Sequence, residues 1–418
     1  MNIIDVNPWW KTNKIEEEWK QLPKREIFEE IKSYLNERQI IVITGLRRVG
    51  KTVLMHHLID TLLQTKKKEH ILYYDFDLGD ESLEEIFQKY KEITGTDYKK
   101  EKIVVVLDEI QKHKNWENEI KVWYDFTQIK FIISGSASLF IEKKTKESLA
   151  GRTASFHVAP LSFREYLLLT KQTVAKDKTE LYKEEIRKAL SHYMKIGGFP
   201  ELLYTEEETK IKKYIKELII DRIVYIDIPK VFDIQEPELL TKILSIISAS
   251  PGMLTDYGGL ANDLQRNRKT ITNYIMYLEK SFLIKKMYNY SKNLLTSEKK
   301  LKKIYPTSSG LCFLHNAELG LCVETILLMN KDFTFFWRKG EKEVDFIETK
   351  NNTIIPIEMK FVQRIPKEKE IKGMILFLEK WKKEKGIVIT DDKEGSEKMN
   401  GKTIEYIPLW KYLLFEEK

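Results

Sequence analysis

Short apolar runs alternate with stretches of helical periodicity over residues 1–165. Four runs have the length and the β-branched content of buried strands: QIIVIT (39–44), ILYYDFD (71–77), KIVVVLDEI (102–110) and KFIISGSAS (130–138). The segment VLMHHLIDTLL, which follows the first run closely, has the period of a helix. Strands that alternate with helices predict an α/β domain with a doubly wound parallel sheet, which binds ligands at the carboxyl ends of its strands.

Behind this region the pattern turns helical. From Ser162 to about Lys230 the sequence shows helical periodicity, with a Gly-Pro break at GGFPELLY. Residues 237–290 predict three helices followed by a basic hairpin. The third helix, RKTITNYIMYLEKSFLI, has a stripe of apolar residues that we expect to be buried: Ile271, Ile275, Leu278 and Phe282.

Residues 343–361, EVDFIETKNNTIIPIEMKF, predict a β-hairpin, because two apolar-alternating runs flank Asn351-Asn352. Folding about this turn places Asp345 opposite Glu358, where like charges destabilise a sheet. Either a cation lies between the two carboxylates or the register is different. Pro356 falls opposite Ile347, and proline suits an edge strand or the start of a strand.

Composition narrows the class of protein. The chain has 418 residues, 42% of them hydrophobic and 32% charged, enough for two to four domains, and its net charge of +7 is compatible with nucleic acid. Cys312 and Cys322 match no metal or redox spacing, which indicates buried residues in a reducing compartment. The first residues lack the pattern of a signal peptide, and no apolar run approaches the roughly 18 residues of a membrane span. We expect a soluble cytoplasmic protein with no membrane partner.

A phosphate-binding loop follows the first predicted strand. GLRRVGKT fits the pattern G-x-x-x-x-G-K-[ST] between a strand and a helix. Backbone N–H groups of such a loop cradle phosphates, Lys51 is expected to reach the β- and γ-phosphates, and Thr52 to ligate Mg²⁺. The expected nucleotide contacts in this segment are Gly45, Leu46, Arg47, Arg48, Val49, Gly50, Lys51, Thr52 and Val53.

Polar residues end the next two buried strands. Asp108 is expected to hold Mg²⁺ through water, and Glu109 to polarise the attacking water. Ser134 and Ser136 follow in KFIISGSAS, and a serine at this place could sense the γ-phosphate or simply end a strand. We take Ser136 as the nucleotide contact.

These motifs give the chain a specific resemblance. ITGLRRVGKT, VVVLDEIQK, IISGSAS, LAGRTASFHVAPLSFREYL and GGFPE resemble a family of archaeal and bacterial AAA+-type ATPases. The resemblance implies a P-loop ATPase domain (1–165), a helical lid (166–236), a winged helix (237–310) and a restriction-endonuclease-like (DUF4143-like) domain (311–418). It also implies an arginine-finger role for Arg152, supplied in cis or by a neighbouring chain, against the simpler alternative of a structural ion pair.

The third helix of the predicted winged helix carries the candidate DNA contacts. Arg268, Lys269, Thr272 and Asn273 lie near its start, on the side away from the apolar stripe, where a recognition helix meets the major groove. The wing would add the phosphate contacts Lys299, Lys300, Lys302 and Lys303. The alternative is a winged helix that contacts protein. After the wing, Ser308 and Ser309 in PTSSGL replace the Asp that this family typically has.

The order of acidic groups in the tail resembles the PD-(D/E)xK nuclease core. Glu324 falls on a predicted helix, Asp345 on a strand, and Glu358 and Lys360 form E-x-K on the next strand. In that chemistry Asp345 and Glu358 bind Mg²⁺, and Lys360 orients the nucleophile. The alternative is a degenerate fold that is kept for binding or packing.

Together these features predict an ATP-hydrolysing, Mg²⁺-dependent switch or motor that acts on DNA and has a nuclease-like tail. ATP and Mg²⁺ are the expected cofactors, and the formation of a homo-oligomer is left open. The alternative interpretation is a regulatory NTPase whose C-terminal domains bind protein partners and have no nuclease activity.

Overall fold

The computed structural model describes residues 3–79, 81–135, 149–175, 178–350 and 353–415. They form two compact units. The first comprises Met1–Ala159 together with Tyr225–Asp233, and the second comprises Pro160–Val224 and Ile234–Lys418. The predicted segments 166–236, 237–310 and 311–418 fall in the second unit, apart from Tyr225–Asp233. The finer division into four domains stays a prediction.

The first unit alternates strands and helices as the sequence predicts. Its strands before residue 160 are β1 (Ile40–Gly45), β2 (Ile71–Asp75), β3 (Val104–Asp108), β4 (Lys130–Gly135) and β5 (Thr153–Val158). Its helices in the same range are α1 (Trp9–Thr12), α2 (Glu17–Lys20), α3 (Phe28–Ser33), α4 (Lys51–Leu63), α5 (Leu83–Thr94) and α6 (Trp116–Phe126). Single 3₁₀ turns cover Lys68–His70 and Ile110–Lys112.

The five strands pair in parallel in the order β2-β3-β4-β1-β5. β1 lies inside this sheet and all six of its residues are buried, which explains its nearly continuous β-branched sequence. The carboxyl ends of β3, β4 and β1 lie side by side in this order, so the residues that follow these strands lie close together at one end of the sheet. The predicted α/β fold with a doubly wound parallel sheet is confirmed.

The remaining elements follow in chain order. The helices are α7 (Phe163–Leu169), α8 (Lys183–Ile196), α9 (Glu208–Tyr214), α10 (Ile228–Val231), α11 (Pro237–Ala249), α12 (Tyr257–Asp263), α13 (Arg268–Lys280), α14 (Leu294–Lys299), α15 (Ser309–Leu314), α16 (Leu319–Asn330), α17 (Lys372–Lys380) and α18 (Leu409–Phe415). The strands are β6 (Met253–Thr255), β7 (Ile284–Asn289), β8 (Lys302–Pro306), β9 (Phe335–Lys339), β10 (Lys342–Lys350), β11 (Thr353–Lys360), β12 (Lys385–Thr390), β13 (Gly395–Met399) and β14 (Lys402–Pro408). Short turns of 3₁₀ helix (Pro200–Leu202, Glu368–Glu370) and π-helix (Ile215–Ile220, Ile223–Asp227) lie between them.

A mixed sheet of nine strands runs through the second unit in the order β13-β14-β12-β11-β10-β9-β7-β8-β6. β7 pairs in parallel with β9, so the predicted basic hairpin and the predicted nuclease-like strands share one sheet. Trp337, Val344 and Ile347 of this sheet form a core with Met374 and Phe377 of α17.

Close packing of α17 fixes the position of β10. A Cβ on Gly373 would lie 2.0 Å from the carbonyl oxygen of Glu343, so only glycine fits there. The register between β9 and β10 shifts between Val344 and Ile347, and such a bulge re-aims side chains. Asp345 lies within this shift.

The three predicted helices of residues 237–290 are α11, α12 and α13, and α13 buries Ile271, Ile275 and Leu278. The prediction for Phe282 is wrong. Phe282 lies beyond the end of α13 with φ 60° and is only half-buried, because the helix ends at Lys280 and the chain turns there towards β7.

No helix among the described residues is both long and apolar enough to cross a membrane. Cys312 and Cys322 are free and buried.

Candidate functional site

The phosphate loop follows β1 at the edge where the strands end. A Cβ on Gly45 would lie 2.3 Å from the carbonyl oxygen of Val158 in β5, so glycine allows the two strands to approach. Gly50 has φ 92° and caps α4, and Arg48 has φ 62°. The loop therefore has two residues in the left-handed region, where glycine is the favoured residue.

Lys51 begins α4 and is buried. Its Nζ donates to the carbonyl oxygen of Leu46 at 3.0 Å, and it lies 3.8 Å from Oε1 of Glu109. The ammonium group is thus held over the loop beside the carboxylate that was predicted to polarise water.

Asp108 is the centre of a hydrogen-bond cluster at the end of β3. Its Oδ2 accepts from Oγ1 of Thr52 at 2.6 Å and from the hydroxyl of Tyr73 at 3.2 Å. Its Oδ1 accepts from the hydroxyl of Ser134 and from the backbone N–H of Glu109. Thr52 and Asp108 are therefore adjacent, and Ser134 is a buried partner of Asp108. Ser136 lies outside the described residues.

Glu109 adopts φ 51°, an uncommon conformation for a residue with a side chain. Nε2 of Gln111 donates to its Oε2 at 2.5 Å. Glu109 follows a strand directly and turns back towards Lys51, which suits a residue whose position serves a site rather than a core.

Arginine side chains anchor the loop from two directions. Arg47 makes a bidentate pair with Asp227, with Nε to Oδ2 at 2.6 Å and Nη2 to Oδ1 at 2.7 Å. Arg25 donates to the carbonyl oxygens of Val49 at 2.6 Å and Ala159 at 2.9 Å. Arg48 is exposed.

Acidic groups crowd the end of β2 and β3. Burial, followed by the charges of Asp108 and Glu109, raises the pKa of Asp75 to about 7. Burial lowers the pKa of His56 to about 4, against the charge of Asp108. An excess of negative charge at this edge is what a bound cation would relieve.

Arg152 does not belong to the site around this chain's own phosphate loop. It precedes β5 and its carbonyl oxygen accepts from the N–H of Ile40, at the start of β1. A strand of five or six residues rises about 16–20 Å. Arg152 therefore lies at the amino ends of the strands, whereas the phosphate loop lies at their carboxyl ends. There it forms an ion pair with Asp125, with Nε to Oδ1 at 3.0 Å. The predicted role in cis is therefore wrong.

The tail contains a second constellation, and the predicted register is confirmed. β10 and β11 pair antiparallel with Phe346 opposite Ile357 and Ile347 opposite Pro356, the register that the sequence predicts for these residues. Next to this paired stretch, Oδ2 of Asp345 accepts from the backbone N–H of Met359 at 2.9 Å. β11 is a central strand, yet its pairing with β12 begins only at Ile357. Pro356 thus costs no hydrogen bond on that side, which explains why it is tolerated.

Lys303 was predicted as a wing contact to DNA phosphates, and this prediction is wrong. Lys303 is 5% exposed, and its Nζ lies 2.5 Å from Oε1 of Glu343 and 3.4 Å from Oδ1 of Asp345. β8 is buried from Lys303 to Pro306, whereas Lys302 at its start is half-buried and Lys300 before it is exposed. The side chain of Lys299 lies outside the part of the chain that the structure describes.

We call Glu324, Asp345, Glu358, Lys303 and Lys360 the acid–lysine cluster. Lys360 Nζ lies 2.8 Å from Oε1 of Glu358, and Tyr305 donates to Oε2 of Glu324 at 2.7 Å. Oε2 of Glu358 is buried and has no hydrogen-bond partner. Burial and then the charge of Asp345 raise the pKa of Glu358 to about 8 and that of Glu324 to about 7.

Two findings bear on metal binding at this cluster. Within the part of the chain that the structure describes, no group of three or more His, Cys, Asp or Glu residues is placed to hold a metal ion. Mg²⁺ is nevertheless often bound by one or two carboxylates and several waters. Asp345 and Glu358 could supply such a pair, with the unpartnered oxygen of Glu358 as one ligand.

Stability should fall as the pH rises from about 5 to about 8 in part because of Glu358. Its raised pKa means that the folded state binds the proton more tightly. The resulting stabilisation is complete below the ordinary carboxyl range and is lost as the pH passes about 8. Glu358→Gln should therefore flatten the melting temperature as a function of pH, and the exposed Glu341→Gln should not. Parallel curves for Glu358→Gln and the wild type would contradict this assignment.

The start of α13 presents polar side chains to solvent. Arg268, Lys269 and Thr272 are exposed and Asn273 is half-buried. The side chain of Asn267 caps the helix by accepting from the N–H of Thr270 at 2.8 Å. The predicted candidate DNA contacts on α13 thus share one end of one helix.

Ser308, where the family typically has Asp, has a structural place. Its hydroxyl donates to the carbonyl oxygen of Gly197 at 2.8 Å and accepts from the N–H of Gly310, which caps α15.

Comparison with known proteins gives three family matches. Residues 37–167 match the model of an AAA domain, residues 187–319 match a domain of unknown function (DUF8612), and residues 323–412 match a domain of unknown function (DUF4143). The AAA match and the five-stranded parallel sheet support each other. The expected DUF4143-like segment is confirmed.

Relatives along most of the chain are uncharacterized. The protein MJ1637 of Methanocaldococcus jannaschii is 28% identical, covering 92% of this chain and 87% of its own. An uncharacterized protein of Haemophilus influenzae is 26% identical, covering 89% and 94%.

Solved structures that are similar include ORC1 of Aeropyrum pernix in complex with DNA (12% identity, 73% of this chain and 92% of that chain, TM-score 0.30). The RuvB Holliday junction branch migration motor of Thermotoga maritima has 14% identity, 66% and 90% coverage, and a TM-score of 0.32. Such scores do not establish a shared overall fold.

Proposed function

We propose that the chain is a Mg²⁺-dependent ATPase whose first unit binds and hydrolyses ATP and whose second unit binds DNA. One observation carries the ATPase proposal: Thr52 lies 2.6 Å from Asp108, with Lys51 and Glu109 beside them. The match of residues 37–167 to an AAA domain supports it. Turnover of ATP by the purified chain, with and without Mg²⁺, is the test.

The residues of the loop fit the nucleotide and the metal ion. The hydroxyl of Thr52 donates a hydrogen bond to Asp108, which leaves the lone pairs of its oxygen for Mg²⁺, and Lys51 is already held at the loop. Bound Mg²⁺ would supply charge neutralisation at the phosphates. Glu109 would accept a proton from water. Its carboxylate lies beside Lys51, whereas the carboxylate of Asp108 is bonded to Thr52.

An arginine-finger role for Arg152 requires a neighbouring copy of the chain, because Arg152 lies at the edge opposite its own loop. We keep that role, and with it a homo-oligomer, as part of the proposal. Its exposed ion pair with Asp125 is the alternative role.

For the second unit we propose a winged helix that binds duplex DNA. The order α11, β6, α12, α13, β7, β8, with strands paired β6-β8-β7, supports this proposal. The exposed start of α13 would meet the DNA, with Lys300 and Lys302 near the hairpin as phosphate contacts. If the winged helix binds a protein partner instead, the rate of ATP turnover should be the same with and without DNA. Measuring that rate in both conditions separates the two interpretations.

DNA affinity should fall linearly with salt on logarithmic axes, with a slope of about −0.9 per phosphate contact. Arg268→Ala/Lys269→Ala should flatten this slope by up to about two contacts. The matched control is Lys242→Ala/Lys280→Ala, which removes the same charge from exposed positions on α11 and the end of α13. Fluorescence anisotropy of a labelled duplex gives both slopes. Equal slopes for the two double variants would mean that Arg268 and Lys269 do not contact DNA phosphates and that the DNA-binding surface lies elsewhere.

A second candidate activity is phosphodiester cleavage at the acid–lysine cluster. The buried, unpartnered oxygen of Glu358 favours it, because a bound divalent cation would satisfy that oxygen and supply an activated water. Lys360 would hold Glu358 in place. Incubation of duplex, forked and single-stranded DNA with Mg²⁺ or Mn²⁺ should then give cleavage that Lys360→Ala abolishes. Uncut DNA in every case would leave the cluster a structural feature.

A further inference from the structure

Asp227 and Arg47 form the best-aligned ion pair at the phosphate loop. Both guanidinium contacts are charge-assisted hydrogen bonds of 2.6 and 2.7 Å, and Asp227 is 8% exposed. The residues are far apart in sequence, so the pair is a tertiary anchor. Bidentate pairs of this kind fix geometry as well as adding energy.

The segment that carries Asp227 has an unusual place in the chain. Tyr225–Asp233 belongs to the first unit, although the residues before and after it belong to the second. It is entered through π-helical turns at Ile215–Ile220 and Ile223–Asp227, and such turns are frequent at functional sites. The chain thus returns to the ATPase unit for nine residues, and one of these holds the loop.

The loop needs such an anchor. Arg48 and Gly50 hold left-handed backbone conformations on either side of Val49, whose carbonyl oxygen is fixed by Arg25. Arg47 is fixed by Asp227 at the beginning of this turn. Without Asp227 the guanidinium of Arg47 would be left beside the charges of Glu109 and Lys112 with no bidentate partner.

We propose that Asp227 is a positioning residue for ATP binding: it holds Arg47 so that the loop keeps the conformation that cradles phosphates. The affinity of the loop for ATP then depends on Tyr225–Asp233, a segment covalently continuous with the second unit at both ends. This inference rests on the proposed ATPase function.

The experiment compares Asp227→Asn with Asp227→Glu and with the matched control Asp233→Asn, an exposed aspartate of the same segment. Steady-state turnover of ATP with Mg²⁺ gives KM and kcat for each. We expect Asp227→Asn to raise KM by about tenfold or more, as expected for a lost charge-assisted bond, and Asp227→Glu to recover part of the loss. Asp233→Asn should match the wild type. Partial unfolding alone would lower kcat through the active fraction and leave KM unchanged.

Amide hydrogen exchange of residues 45–53 without nucleotide is the second measurement. Faster exchange in Asp227→Asn than in the wild type supports the anchor even if the chain turns over no ATP. The absence of turnover would contradict the proposed ATPase function and would leave the test of the anchor intact. An unchanged KM together with unchanged exchange in Asp227→Asn would overturn the inference. An equal rise of KM in Asp233→Asn would overturn it as well.

Discussion

Lys51→Ala is expected to abolish ATP binding, with affinity reduced by about 100-fold or more. The ammonium group is buried, lies 3.0 Å from the carbonyl oxygen of Leu46, and is the cation placed to meet the phosphates. Isothermal titration with ATP and Mg²⁺ measures the loss. Lys67→Ala, an exposed lysine beyond the end of α4, is the control and should bind as the wild type does.

Glu109→Gln should separate binding from hydrolysis at the same site. Glutamine keeps the size of the side chain but accepts no proton, so ATP should bind while kcat falls by about 10²–10⁴. Normal turnover in Glu109→Gln would remove this residue from the mechanism. Normal binding in Lys51→Ala would move the nucleotide away from the loop.

Lys303→Met is expected to lower the free energy of unfolding by about 3–5 kcal/mol, the usual cost of removing one partner from a buried ion pair. Methionine keeps much of the aliphatic stem but leaves Glu343 and Asp345 without the ammonium that lies between them. Urea denaturation followed by circular dichroism measures the change. The loss should be larger above about pH 8, because burial raises the pKa of Glu324 to about 7 and that of Glu358 to about 8, and both carboxyls are then ionised near Lys303.

Lys300→Met is the matched control, because Lys300 is exposed and precedes the same strand. It should change the free energy of unfolding by no more than about 0.5 kcal/mol. A similarly small effect of Lys303→Met would mean that the lysine contributes little to the acid–lysine cluster.

The arrangement of the proposed ATPase site was largely predictable because its signals are local. Gly45, Lys51 and Thr52 lie in one motif, and Asp108 and Glu109 end one apolar strand, so parallel strand order alone brings them together. Tyr73 was missed, although its position on the neighbouring strand could have indicated it: Tyr73 pairs with Val106, two residues before Asp108.

The hairpin register was predictable for a different reason. A turn of two asparagines and alternating apolar residues leave few registers, and the predicted one is found from Phe346 opposite Ile357 to Lys350 opposite Thr353. Lys303 was misassigned because a run of lysines indicates an exposed surface on average, whereas β8 is buried from Lys303 to Pro306. Lys303 of β8 contacts Glu343 and Asp345 of β10, a strand three places away in the sheet, and no local signal in the sequence specifies that contact.

The contact between Asp227 and Arg47 could not be predicted from sequence. Nothing in the helical pattern of residues 208–231 indicates that its end returns to the first unit. Arg152 illustrates the reverse case: its motif predicted a catalytic role, but its place before β5 puts it beside the start of β1.

Release of phosphate from ATP by the purified wild-type chain tests the central claim most directly. Turnover should require Mg²⁺, disappear when the metal is chelated, and return when Mg²⁺ is restored, because Thr52 and Asp108 are placed to hold it. A rate with Mg²⁺ no greater than that of buffer alone, for protein that is folded by circular dichroism, would contradict the assignment of this site as an ATPase.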